Sequence, residues 1–184
     1  MGKIFDTIDE RMREFIARQH VFFVATAPLA AQGHVNLSPK GLDSFAVLGP
    51  REVAYLDLVG SGAETLAHLR ENGRITVMFC AFEGPPRILR LYGHGRALEP
   101  GEPGFDAARA QFAPREGTRA VIGVDVRRIA DSCGYGVPLY HFASERSQLA
   151  AWVDRKGPHG LRAYQRENNL ESLDGLPALR GEGL

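Results

Sequence analysis

Two short stretches of this chain carry most of its chemical potential. The first is His34, Val35, Asn36, Leu37, Ser38, Pro39, Lys40 and Gly41. The second follows about twenty residues on, running from Tyr55–Leu56–Asp57–Leu58 into Gly60–Ser61–Gly62–Ala63–Glu64–Thr65. Each reads as a strand entering a turn, and the second turn opens a helix. The start of a helix offers free backbone N–H groups and a positive dipole end, and Ser61 and Thr65 add hydroxyls. A strand edge beside such a corner can hold a flat, phosphorylated ligand.

Two uses compete for the N–H groups at residues 61–65. Ser61 followed three residues later by Glu64 is a capping box, which would satisfy them within the chain. The same amides, with Ser61, Gly62 and Thr65, would otherwise dock a phosphate monoester, beside which Glu64 would place a like charge. The turn is not a Walker loop, since the Gly-Lys-Ser/Thr ending is missing, and it lacks the third glycine of a dinucleotide fingerprint.

Other candidates stand further along. Arg90 alternates with Leu89 and Leu91, sharing a face with Ile88 and Tyr92; such an arginine either snorkels or meets an anion. Lys40 follows a proline and is either a solvated turn lysine or an anion contact. Asn36 and Ser38 fall on the same side as His34, as a polar pocket wall or as the solvent face of an edge strand. Tyr135, within Ser132–Cys133–Gly134–Tyr135–Gly136–Val137–Pro138, is placed to stack on a flat ligand or a partner subunit. Cys133 has no identifiable base, which weighs against a thiol hydrolase. The six histidines show no metal-ligand spacing, so no metal is expected. No residue stands out as an essential catalytic acid or base.

The elements that must position these residues follow from apolar periodicity. Residues 8–18 form an amphipathic helix capped by Asp6 or Thr7. Strands are expected at 21–26, 34–37, 45–48, 53–58, 74–82, 87–98 and 120–129. Ser38–Gly41 ends the second of these. Helices are expected from Gly62 to about Asn72, stopped by Asn72–Gly73, then over 103–112 and 144–155. Gly93 and Gly95 mark a bend or bulge. From about residue 158 the chain turns polar, as a wrapping tail or a partly mobile one. Strands at hairpin spacing exclude regular βαβ winding and indicate an antiparallel barrel with helices outside.

The 184 residues suit one domain spanning 1–184. At 44% hydrophobic the chain can fill a core. Its 22 basic residues balance 22 acidic ones, so charge gives no case for nucleic acid or an anionic membrane. Two cysteines make no disulfide framework. With no signal-like start and no long apolar run, a cytoplasmic protein is expected.

Taken together, the N-terminal helix, Phe22–Thr26, His34–Gly41, Tyr55–Thr65, Arg74–Phe79 and Leu89–Arg96 resemble the pyridoxamine 5'-phosphate oxidase-like flavoproteins. Asn36–Gly41, Gly60–Thr65 and the Ser132–Pro138 turn match an uncharacterised branch of them. The resemblance covers residues 5–140 and rests on order and spacing. It implies a mainly β fold with flanking helices, an antiparallel six-stranded split β-barrel. It further implies a homodimer with FMN at the subunit interface, acting as a flavin reductase or oxidase on a small molecule. The alternative is a non-catalytic protein holding flavin, the deazaflavin F420 or haem. By position, His34, Val35, Asn36, Leu37 and Ser38 would lie along the flavin ring. Lys40 would approach the ring or the phosphate side. Ser61, Gly62 and Thr65, in the turn with Glu64, would meet the phosphate, with Arg90 adding charge and Tyr135 covering the flavin. Ala63 and Glu64 stand where well-studied members place Arg or Lys.

Overall fold

The computed structural model describes residues 2–181. The described residues form eight strands: β1 (Ile4–Phe5), β2 (Phe22–Thr26), β3 (Asn36–Lys40), β4 (Phe45–Val47), β5 (Glu52–Leu58), β6 (Arg74–Cys80), β7 (Ile88–Leu98) and β8 (Thr118–Ser132). They form one antiparallel sheet in the order β3-β2-β6-β7-β8-β5-β4, with β1 paired to β8. The split barrel is therefore eight-stranded rather than six-stranded. The strand expected at 45–48 is the three-residue β4, and the strand that was not expected is the two-residue β1, both shorter than a typical strand. Four helices complete the chain: α1 (Glu10–Ala17), α2 (Glu64–Glu71), α3 (Phe105–Arg109) and α4 (Gln148–Asn168).

The helix ends depart instructively from expectation. α1 is capped by Asp9, whose carboxylate accepts the Met12 N–H at 2.8 Å, and not by Asp6 or Thr7. α2 stops where expected, at Gly73 with φ +69°, which donates to the His68 and Leu69 carbonyls. α4 runs well past Arg155. It kinks at Gly157 (φ 62°) and resumes at Pro158, a residue that suits the first turn of a helix.

Val24, Val77, Leu91, Ile122 and Ile129 fill the core from the inner face of the sheet, each at 1% exposure or less. Met12, Phe15, Leu66 and Leu69 close it from α1 and α2. The polar tail beyond α4 wraps: Ala178 and Leu179 are buried in this same core.

Two bulges in β8 aim side chains. Asp57 pairs with Ala120 and Leu58 with Thr118, so Arg119 is the extra residue of the first. Tyr92 pairs with Arg128 and Gly93 with Val126, which makes Arg127 the extra residue of the second. Gly93 is required there, because a Cβ would collide with the Asp125 carbonyl.

Candidate functional site

β3 does not end at Leu37. It continues through Ser38, Pro39 and Lys40, pairing Asn36 with Thr26, Ser38 with Val24 and Lys40 with Phe22. Directly paired residues share a face, so Asn36, Ser38 and Lys40 turn toward the core side. Proline is tolerated because β3 is the end strand of the sheet. With its missing N–H on the free edge, the two-residue period turns the Leu37 N–H and carbonyl the same way.

The inward row enters a polar cluster beneath α2. The Asn36 side-chain amide donates to Thr26 Oγ1 (3.1 Å) and Thr65 Oγ1 (3.0 Å), and Ser38 Oγ donates to Asn36 Oδ1 (2.8 Å). Thr26 Oγ1 also meets His68 Nδ1 at 2.9 Å. His68 is fully buried and its Nε2 has no partner among the described residues. Burial lowers its pKa below the usual histidine range, against the opposing pull of Asp174, Glu64 and Glu71.

Beside this cluster lies a buried charge triad. Asp57, with no exposure, takes Arg119 Nε at 2.6 Å and Lys40 Nζ at 3.3 Å on its two oxygens. Burial alone would raise the Asp57 pKa; the charges of Arg119 and Lys40 outweigh it and hold the carboxyl below its usual range. Tyr55, two residues earlier on the same face, is fully buried, and its hydroxyl finds no hydrogen-bond partner among the described residues. Burial, reinforced by Asp57, drives its pKa well upward. The sequence singles out the run Tyr55–Leu58 but gives no role to Tyr55 or Asp57, nor to His68 or Arg119. The available signal was an acid inside the apolar run Tyr55–Leu58.

The start of α2 is not the capping box expected from Ser61 and Glu64. Ala63 is the N-cap residue and no side chain caps the helix. Ser61 is exposed, and among the described residues its hydroxyl has no partner. Glu64 folds back over Gly62, and its carboxylate accepts the Leu173 N–H at 3.3 Å. The tail also holds His34, whose backbone N–H and Nδ1 meet the Asp174 carboxylate at 2.8 and 2.7 Å. Asn169 donates to the Gly60 carbonyl. Thr65 is turned inward to Asn36. The corner is thus lined by Ser61, the amides around Gly62 and two carboxylates.

Arg90 is not brought to this corner. It pairs with Met78 and Ala130, in the row that contains Phe23 and Pro39, so it stands on the opposite face of the sheet from Ser38 and Lys40. Its Nη1 donates to Ser132 Oγ at 3.0 Å. Val35 and Leu37 share that outer face, 73% and 64% exposed. Tyr135 stands 82% exposed in the loop after β8.

An antiparallel split barrel with flanking helices, one end strand of its sheet free beside the start of α2, defines the class of small split-barrel proteins. The chain belongs to the pyridoxamine 5'-phosphate oxidase family, whose model matches residues 8–133. It is 41% identical over 196 aligned positions to the pyridoxamine 5'-phosphate oxidase family protein ustO of Aspergillus flavus, covering 97% of this chain and 78% of that protein. Among solved structures it is similar to HupZ of Group A Streptococcus, in a histidine-to-alanine variant. That match has 25% identity and a TM-score of 0.56, over 68% of this chain and 99% of the other. It also shares the fold of HutZ, the haem storage protein of Vibrio cholerae, at 16% identity and a TM-score of 0.50, over 68% and 94% of the two chains.

Proposed function

We propose that this protein is an FMN-dependent oxidoreductase of the flavin reductase or oxidase type, acting on a small molecule as a homodimer with the flavin at the subunit interface. The observation that carries the reading is the free edge of β3 lying next to the uncapped start of α2. Membership of the family supports it. A bound flavin would supply hydride transfer. The protein's part is to bind and orient. Outward backbone groups of β3, Leu37 among them, suit the polar edge of the ring. The Ser61 hydroxyl and the amides around Gly62 suit the phosphate. Arg90 lies on the outer sheet face, where the second subunit would meet it, and Tyr135 is exposed enough to cover a partner's flavin.

Glu64 is the residue that opposes this reading, and it therefore provides the test. Its carboxylate lies over Gly62, where a phosphate would dock. Glu64→Gln keeps an acceptor for the Leu173 N–H and removes the like charge, so FMN should bind roughly three- to tenfold tighter at low salt. Absorption spectra of the purified protein and an FMN titration of both forms measure this. A protein that stays colourless with added FMN overturns the flavin reading. A yellow protein that NADH, NADPH and chemical reductants leave without onward electron transfer is a carrier, which overturns the enzyme.

A further inference from the structure

A deep concavity lies outside the polar cluster and shares no residue with it. It is a cavity of about 530 Å³ between the end of α1, the β6–β7 hairpin and the irregular segment 139–143. That size lies within the range of small-molecule sites. Phe15 and Ala81, 6% and 3% exposed, make its floor. Phe82 and Tyr140 make a second wall, with ring centroids 5.6 Å apart. His20 and Phe142 stack at 3.6 Å and 9°, forming a flat aromatic platform at the rim.

The covering segment is held by few bonds. Tyr140 N–H donates to the Phe82 carbonyl at 2.9 Å, and Phe142 N–H to Glu83 Oε1 at 3.2 Å. Tyr140 and Phe142 nonetheless remain 61% and 44% exposed. Aromatic side chains that line a cavity yet stay wet gain burial when a planar guest enters. The charges at the rim are also selective. Arg18 lines the cavity, and among the described residues it has no acidic partner. The one carboxylate, Glu83, is already engaged by the Phe142 N–H.

We propose that this cavity is a binding site for a planar aromatic molecule carrying one anionic group, with its rings between the aromatic walls and its anion at Arg18. The proposal does not depend on the flavin reading.

Two dyes with the same aromatic system test it: 1-anilinonaphthalene-8-sulfonate, which is anionic, and N-phenyl-1-naphthylamine, which is neutral. Both should give saturable fluorescence enhancement with the full chain, unaffected by excess FMN. Phe142→Ala should weaken both by about three- to tenfold, the value of one aromatic stacking partner. Arg18→Gln should weaken the sulfonate by about tenfold, the value of one charge-assisted contact, and leave the neutral dye within about twofold. Ala143→Trp, which fills the cavity from its exposed rim, should abolish both; it keeps the test decisive if Phe142→Ala alters the fold. Displacement by FMN, indifference to Ala143→Trp, or equal losses of the two dyes in Arg18→Gln would overturn the proposal. So would failure of the wild-type protein to bind either dye because a second copy fills the cavity.

Discussion

Asp57 is the residue on which the interior of the barrel turns. It is a carboxylate without exposure between two cations, and neither cation has another acidic partner among the described residues. Removing the charge strands Arg119, itself 5% exposed, inside the fold. Asp57→Asn should cost about 3 kcal/mol, the lower end for breaking a buried pair, because Lys40 can still reach water. Urea unfolding at neutral pH measures it. The pH dependence has a definite sign. The folded pKa of Asp57 is lowered, so its contribution is present above the ordinary carboxylate range and is lost as pH falls through the folded value. Wild-type stability should therefore decline below about pH 4, and Asp57→Asn should lack that part of the decline. His68 acts the same way in a milder range. Its pKa is also lowered, so the unfolded chain takes up the proton first as pH falls. Stability should fall from about pH 6.5 downward. His68→Gln, which can still meet Thr26, should flatten that step in unfolding curves taken between pH 5 and pH 8 as working limits for histidine titration.

At the scale of elements, β2 was legible from its β-branched and aromatic content, and β6 from the alternation of Ile75, Val77 and Phe79 with Thr76, Met78 and Cys80. β3 was cut short at Leu37 because Pro39 reads as a terminator; on an edge strand it is not one. The Ser61–Glu64 capping box did not form, because Glu64 is drawn to Leu173, 109 residues away, a contact no local pattern announces. The Asp57–Arg119 pair was equally hidden, since it exists only because a bulge turns Arg119 to the face of Ala120. The tail was left open between wrapping and mobile because its composition is polar. Its two apolar anchors are adjacent and show no period, yet Leu179 is 6% exposed and its N–H bonds the Asn169 carbonyl. The tail is consequently part of the core and holds the loop before α2 through Asn169 and Gly60. Leu179→Ala should cost about 2–4 kcal/mol, as for a core leucine. The melting temperature should fall by several degrees, and proteolysis should begin beyond α4. A stability unchanged by Leu179→Ala would show that the tail only rests on the surface.

At the scale of the whole molecule, α3 covers the outer face of the sheet at Leu56 and Val121, while the part formed by β3, β2 and the start of β7 has no cover among the described residues. Val35, Leu37 and Tyr92 lie on it, 73%, 64% and 37% exposed, beside Phe23, Met78 and Arg90. No helix of the described residues is long and apolar enough to cross a membrane, so a bilayer-spanning helix does not account for that face. The net charge of zero offers no long-range repulsion between copies. The homodimer proposed above would place a second copy of the chain on this face, with Arg90 presented across the joint. Native mass spectrometry should therefore give twice the 20.2 kDa of the chain. Leu37→Asp places a charge on that face, at its β3 edge, where the free chain tolerates it because the side chain is exposed. The variant should keep its secondary structure and its melting transition while the mass halves. If the flavin sits between subunits, FMN binding should fall in step with the dimer, at least tenfold at micromolar protein, because each site loses its second wall. A wild-type protein that remains monomeric at those concentrations while binding FMN fully would remove the interface from the site and leave the edge of β3 to hold the cofactor alone.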